Sequence, residues 1–159
     1  MARTHARGPQ GERVVCKTPH GHWKTLTTVA AMTARGMAAA MVIDGAMHTE
    51  AFVGFIEHFL IPKLRAGQVV ILDNLPAHQS IEVDRLIESA GGRILRLPPY
   101  SPDLNPIEMA ISKVKSLLRK EAARTCPDLI EALGKSLRAV TPSDAMGYIR
   151  HSGYIATNG

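Results

Sequence analysis

Residues 98–108 read "PPYSPDLNPIE", and this stretch decides how the second half of the chain is interpreted. It contains four prolines in eleven residues. Because proline fixes its own φ and favours extended geometry in the residue before it, the sequence predicts a stiff loop. Asn105 is a favourable N-cap and Pro106 a favourable first helical residue, so a helix is predicted to begin there. Glu108 then lies in the first turn, where it could complete a capping box with Asn105 or hold a ligand in fixed geometry.

A second acidic residue lies upstream, at the end of a predicted strand. The run "QVVIL" at 68–72 is continuously apolar and of strand length, as expected for a strand buried on both faces. Asp73 follows it directly, and open α/β sheets place their sites at the carboxyl ends of strands. The segment continues "DNLPAH", which brings Asn74 and His78 close by. A loop-capping role is the structural alternative for Asp73, since Asp and Asn are common turn residues.

The rest of the chain alternates predicted strands and helices. Short apolar or alternating runs predict strands over 13–16, 23–32, 36–43 and 93–97, with a tight connection between the second and third at Arg35 and Gly36. Helical spacing predicts one helix from Phe52 to Leu60, ended by Pro62, and another with Val83, Leu86, Ile87 and Ala90 on one face. Thr125 and Thr141 resemble Asn105 as N-caps, each with an acid three residues later. This order predicts one mixed α/β domain over 1–159.

Composition and charge favour a globular protein with a polyanionic partner. The chain has 45% hydrophobic residues, a formal net charge of +5 and a pI of about 9.5. Cys16 and Cys126 are far apart and are expected to be free thiols in a reducing cytosol. No apolar run reaches the ~20 residues of a membrane span. Aromatic residues make up only 4% of the chain, so an aromatic platform for nucleic-acid bases is not expected.

Two long motifs resemble a known family. "LDNLPAHQS" at 72–80 is similar to the second-aspartate motif, and "LPPYSPDLNPIEMAISKVKSLLRK" at 97–120 to the glutamate motif, of DDE transposases of the mariner superfamily. Among bacterial elements the resemblance is to the six-thirty insertion-sequence family, whose spacing of 34 residues between the two acids is also found here. The resemblance to the family extends from about residue 3 to about residue 154.

The resemblance implies a fold, a reaction and a set of site residues. The implied fold is RNase H-like, with a mixed sheet flanked by helices. The implied chemistry is cleavage of phosphodiesters and strand transfer at transposon ends, with two Mg²⁺ (or Mn²⁺) ions between three carboxylates. Asp73 and Glu108 match the second and third acids and are the expected catalytic metal ligands. The expected supporting residues are Asn74, His78, Asn105 and Pro106.

A basic helix is expected to follow Glu108. Its predicted apolar face is Ile107, Ile111, Val114 and Leu118. The cations expected to contact DNA phosphates, with a merely solvated face as the alternative, are Lys113, Lys115, Arg119 and Lys120. The expected partners are double-stranded DNA and further copies in a transposition complex, in the cytoplasm of a bacterium and at the nucleoid when acting.

The first acid of the triad has no good match. In the family it closes the first, central strand, just before the segment that resembles "MARTHARGPQGERV". Asp44 and Glu12 are poor replacements, because Asp44 resembles the end of a hairpin and Glu12 lies in a basic loop. The chain is therefore expected to be N-terminally incomplete, without its first central strand and without a helix-turn-helix domain, and to be inactive by itself. The alternatives are an inactive remnant that binds DNA or a full-length partner and, less favoured, an unrelated Mg²⁺-dependent hydrolase.

Overall fold

The computed structural model of the protein describes residues 25–155, which begin with an antiparallel hairpin. Strand β1 (Leu26–Thr33) pairs with β2 (Gly36–Asp44), and the register shifts between Ala31 and Met32. Both strands confirm the sequence prediction to within about three residues, whereas the strand predicted at 13–16 lies outside the described residues. Gly36 has φ +113°, and a Cβ there would lie 2.7 Å from the carbonyl oxygen of Val140. Glycine is therefore required at this turn.

A helical segment follows and changes its hydrogen bonding twice. Helix α1 (Thr49–Phe55) continues as a π-helical turn (Ile56–Leu60) and a 3-10 turn (Ile61–Lys63). The prediction that Pro62 ends the helix is wrong by one residue. The helical path continues one residue beyond Pro62, which occupies the second position of the 3-10 turn.

Two short parallel strands carry the segment around Asp73. Strand β3 (Val69–Leu72) pairs with β4 (Arg93–Arg96), and helix α2 (Ile81–Ser89) connects them. The prediction that β3 is buried on both faces is wrong, since only Leu72 is buried and Val69 is 55% exposed. The reason is that β3 pairs with β4 alone, so its other edge has no strand partner among residues 25–155.

The two strand pairs form two separate sheets in the described part of the chain, not one continuous mixed sheet. They nevertheless share one apolar cluster with α1 and α2. Its buried members are Val29, Ala39, Phe52, Phe55, Ile56, Leu72, Val83 and Ile87. The fold is thus mixed α/β, and the cluster positions both strand pairs against the same helices.

Three helices complete the fold and confirm their predicted starts. They are α3 (Pro106–Glu121), α4 (Cys126–Arg138) and α5 (Pro142–His151). A second apolar cluster joins them, built from Ala110, Val114, Leu118, Ala132, Leu133 and Val140. Met41 and Ile43 of β2 pack on the first cluster and Val42 on the second, so the hairpin lies between them. No helix within residues 25–155 is both long and apolar enough to cross a membrane.

The buried face of α3 differs from the predicted one. Val114 and Leu118 are buried as predicted, but Ile107 and Ile111 are only half-buried, and Ala110 is fully buried. The buried stripe follows an i, i+4 row from Pro106 through Ala110, so the two isoleucines lie at its border. On this helix the direction in which a residue faces, and not the size of its side chain, determines its burial.

Candidate active site

The loop after β3 fixes Asp73 against His78. Asp73 Oδ1 lies 2.6 Å from His78 Nδ1 and accepts a hydrogen bond from the Leu75 backbone N–H at 3.3 Å. The Asp73 side chain is 33% exposed, and that of His78 is 15% exposed. The close approach to Asp73 is not aligned as a hydrogen bond, and the buried Nδ1 has no hydrogen-bond partner among the described residues. The two side chains are therefore in close polar contact without an aligned hydrogen bond between them.

Two residues that sequence reasoning did not assign to the site hold His78 in place. The ring of Phe52 stacks on His78 with centroids 4.0 Å apart. Arg96 Nη1 donates to the carbonyl oxygen of His78 at 2.7 Å, and Arg96 Nη2 pairs with the Asp84 carboxylate. In the sequence, the helical spacing of Phe52 indicated only a buried helix face. An arginine inside the apolar "RILRL" strand was a signal that could have indicated a buried polar contact.

Asn74 forms hydrogen bonds within the same loop. Its Oδ1 and its backbone carbonyl oxygen accept hydrogen bonds from Gln79 Nε2 at 2.6 and 3.2 Å. The bonds close the 3-10 turn Pro76–Gln79, which contains His78. The predicted supporting residues Asn74 and His78 are thus placed beside Asp73 by the structure, and their functional roles stay predictions.

Glu108 projects from the first turn of α3 without capping it. Its backbone N–H bonds the carbonyl oxygen of Asn105 at 3.1 Å, but the Asn105 side chain makes no capping bond although it is 8% exposed. At Thr141, by contrast, a complete capping box forms with Asp144. No hydrogen bond or ion pair engages the exposed Glu108 carboxylate within residues 25–155. The capping alternative for Glu108 is therefore not observed.

The proline-rich loop holds the start of α3 with unusual backbone geometry. Tyr100 has φ 56°, a conformation that costs an L-residue about 1–2 kcal/mol. Ser101 Oγ donates to the carbonyl oxygen of Pro99 at 3.3 Å, and a 3-10 turn spans Pro102–Leu104. Fifty positions away, the hydroxyl of Tyr154 donates to the carbonyl oxygen of Leu104 at 2.9 Å. The hydrogen bonds from Ser101 and Tyr154 thus hold the loop just before Asn105 and Pro106.

Asp73 and Glu108 line one open cavity of about 380 Å³. Its other lining residues are Asn74, Leu75, Leu97, Pro98, Pro99, Tyr100, Ser101, Pro102 and Asn105. Among residues 25–155, two carboxylates and no Lys or Arg line it, so this part of the lining attracts cations and repels bare phosphate. Hard oxygen donors of this kind suit Mg²⁺ or Mn²⁺.

The donor set is one acid short of a three-carboxylate site. Residues 25–155 contain no group of three His, Cys, Asp or Glu side chains arranged to hold a metal ion. Asp44, at the end of β2, does not line the cavity, and Glu12 lies outside the described residues. The chain's own Asp73 and Glu108 therefore fit part of the implied metal site.

The four predicted DNA-contacting cations differ in their surroundings. Lys113 Nζ lies 2.6 Å from Asp144 Oδ2, and this ion pair links α3 to α5. With hydrogen bonds from Thr141, it lowers the pKa of Asp144 from 3.8 to about 2. Lys115, Arg119 and Lys120 are exposed on α3. Contact with DNA stays a prediction for all four, and Lys113 already has an anionic partner.

Comparison with protein families matches residues 1–130 to the model of the DDE superfamily endonuclease. The chain belongs to this family. A search of curated proteins finds no match for this DDE superfamily chain.

Solved structures of a mariner transposase share the fold of this DDE superfamily chain. The Mos1 strand transfer complex superposes with a TM-score of 0.72 at 15% identity, covering 94% of this chain and 46% of that one. The Mos1 mariner paired end complex with Mn gives a TM-score of 0.67 at 13% identity, covering 94% of this chain and 47% of that one. The chain thus spans less than half the length of either transposase chain. The shared fold is RNase H-like, as the sequence predicted.

Proposed function

We propose that this chain is the catalytic part of a DDE transposase of the six-thirty insertion-sequence family, acting on DNA in the cytoplasm of a bacterium. Its reaction would be cleavage of a phosphodiester at a transposon end, followed by transfer of the freed 3′-hydroxyl to target DNA. The observation that carries the proposal is that Asp73 and Glu108, with 34 residues between them, line a single cavity. Family membership supports nuclease chemistry at that cavity.

Asp73 and Glu108 would be the ligands for divalent metal ions. When bound, two such ions activate the attacking oxygen and stabilise the leaving oxygen of an in-line displacement. The protein's part is to hold the two carboxylates on rigid elements. Asp73 is fixed by Leu75 and His78, and Glu108 by the proline loop and the first turn of α3.

The exposed face of α3 supports a role in binding DNA. Lys115 and Arg119 follow Glu108 by seven and eleven positions, so they lie within about 20° of it around the helix axis. A phosphate backbone lying along this stripe would meet cations about 10 and 16 Å from Glu108 along the axis. Lys113 and Lys120 lie off the stripe, so we assign the stronger phosphate contacts to Lys115 and Arg119.

The Mos1 complexes support DNA ends as substrates and suggest self-association. Their names describe strand transfer and paired ends, and one contains Mn. Pairing of two ends by this chain would require at least two copies, which we include in the proposal.

A second candidate function is favoured by the two-acid cavity. Since residues 25–155 hold no third acid at this site, this part of the chain by itself would bind DNA or a full-length partner without cutting. In the catalytic proposal, a third carboxylate comes from outside residues 25–155, on a strand that joins the two sheets.

Measurements of metal binding and of DNA cleavage distinguish the catalytic function from the non-catalytic one. We expect Glu108→Gln and Asp73→Asn each to raise the Kd for Mn²⁺, measured by electron paramagnetic resonance of the free ion, because each removes an anionic ligand. Glu121→Gln is the matched control, being the same substitution at the exposed far end of the same helix, and it should bind Mn²⁺ like the wild type. Equal Mn²⁺ binding by all variants would contradict the metal-site assignment.

Cleavage is tested in a chain extended at its N-terminus by a family-type first strand ending in aspartate. The extended chain should nick transposon-end DNA in Mg²⁺, and Glu108→Gln in that background should abolish nicking while leaving DNA affinity almost unchanged. DNA binding without any nicking by the extended chain would favour the non-catalytic remnant.

A further inference from the structure

The loop between β4 and α3 presents one aromatic ring fully to solvent beside the two carboxylates. Tyr100 is 102% exposed, has φ 56° and lines the cavity that contains Asp73 and Glu108. Leu75 lines the same cavity and is 51% exposed. A ring that packs against no other residue of 25–155, on a backbone conformation that tyrosine rarely adopts, contributes little to the stability of the fold. Such outliers cluster at ligand-binding positions.

The backbone around Tyr100 is constrained by its neighbours. Pro99 precedes it and Pro102 follows within two residues, and the hydroxyl of Ser101 bonds back to the Pro99 carbonyl oxygen at 3.3 Å. A tyrosine side chain has only two main torsions, so it loses little conformational entropy on binding. The backbone that carries the ring is therefore constrained, and the exposed ring is accessible to a flat, apolar partner.

We propose that Tyr100 stacks on an unpaired nucleobase of the nucleotide next to the phosphate that is cut. This inference rests on the proposed function and names the part of the substrate that the apolar part of the cavity lining contacts. The cavity lining includes the carboxylates of Asp73 and Glu108 and also the apolar side chains of Leu75, Pro99 and Tyr100. A nucleotide divides in the same way, into a charged phosphate and a base with an apolar face.

A stacking contact with one base requires only one aromatic ring. Aromatic residues are scarce in this chain, so no platform for a tract of bases is expected. A single ring accommodates a single base, and every base offers a π-face, so the contact tolerates any sequence. The base must leave the duplex stack to be contacted in this way, which costs free energy and is easiest for a base that is mismatched or already unpaired.

The test compares the affinity of the 159-residue chain for two nicked duplexes by fluorescence anisotropy in Mg²⁺. One duplex is intact in its bases, and the other has an abasic site at the nucleotide flanking the nick. Loss of one stacked base weakens binding by about 5- to 150-fold. We therefore expect the ratio of the Kd for the abasic duplex to the Kd for the intact duplex to lie in this range for the wild type. Tyr100→Phe keeps the ring and should keep the ratio.

Tyr100→Asn is the decisive variant. It removes the ring and tolerates a positive φ, so its Tm should not fall below that of the wild type, yet it should bind both duplexes equally. Ile81→Ala is the control, because Ile81 is 85% exposed and does not line the cavity. This variant should keep the wild-type ratio.

The outcomes separate this inference from the function on which it rests. Equal binding of both duplexes by the wild type, or a ratio retained in Tyr100→Asn, overturns the stacking role while the Mn²⁺ defect of Glu108→Gln persists. A lost ratio accompanied by a lower Tm in Tyr100→Asn assigns the ring a structural role and also overturns it. Wild-type Mn²⁺ binding by Glu108→Gln overturns the proposed function, and the inference falls with it.

Discussion

Replacing Arg96 by alanine is expected to destabilise the protein and loosen the Asp73 loop. Arg96 donates to the carbonyl oxygen of His78 at 2.7 Å and pairs with Asp84. A hydrogen bond from a charged donor contributes about 1.5–3 kcal/mol, and a partly exposed ion pair about 0–1 kcal/mol. The Arg96 and Asp84 side chains are 31% and 38% exposed. We therefore use the lower part of both ranges and expect a loss of about 2 kcal/mol in the free energy of unfolding.

Urea unfolding followed by circular dichroism measures this loss. For a chain of 159 residues, it corresponds to a fall in Tm of about 6 °C. Arg96→Lys keeps the charge but cannot bridge two acceptors as the guanidinium does, so its loss should be intermediate. Arg93→Ala, at an exposed position of the same strand, is the matched control and should change stability by less than about 0.5 kcal/mol.

The same variant should also weaken metal binding. His78 lies 2.6 Å from Asp73, so releasing the His78 carbonyl frees the loop that orients the carboxylate. We expect a higher Kd for Mn²⁺ in Arg96→Ala than in Arg93→Ala at equal fractions of folded protein. Equal stability and equal Mn²⁺ binding in the two alanine variants would refute the reasoning.

Three further perturbations test other contacts. Lys113 lowers the pKa of Asp144 to about 2, so the stabilisation is complete above about pH 4 and is lost as the pH falls through about 2. The difference in free energy of unfolding between wild type and Lys113→Met should therefore shrink over this window, and a constant difference would contradict the ion pair. Gly36→Ala should cost about 1–3 kcal/mol in urea unfolding, whereas Gly54→Ala, whose Cβ would meet nothing within 4 Å, should not destabilise; equal effects would contradict the turn constraint. Lys115→Ala should reduce the slope of log Kobs against log salt for DNA by about 0.9, and an unchanged slope would exclude a phosphate contact.

Much of the local structure was predictable because the interactions that decide it join near neighbours in the chain. The Thr125 and Thr141 side chains each accept a hydrogen bond from a backbone N–H three residues later, so spacing alone indicated both helix starts. Pro106 has no N–H to lose at the first turn of α3, which marks the start of that helix equally clearly. The hairpin of β1 and β2 was likewise predictable from two apolar runs separated by a short turn.

Other features depend on partners that are distant in sequence, and only the tertiary structure decided them. The "QVVIL" run is apolar enough for a fully buried strand, yet Val69 is exposed because burial depends on which strands lie beside it. Asn105 and Glu108 match the spacing of a capping box, but the Asn105 side chain makes no capping bond in the fold.

The candidate site shows the same division. Its two acids were recognisable in the sequence because each lies at an element boundary, Asp73 after a strand and Glu108 after the proline loop. The contacts that hold them came from the fold, including the ring of Phe52 on His78, the guanidinium of Arg96 and the hydroxyl of Tyr154 on Leu104. Spacing along the chain determines which residue can cap or turn, because those bonds span a few residues. Which distant side chains meet is decided by how helices and strands pack, because that packing minimises exposed apolar area over the whole domain and not over any one segment.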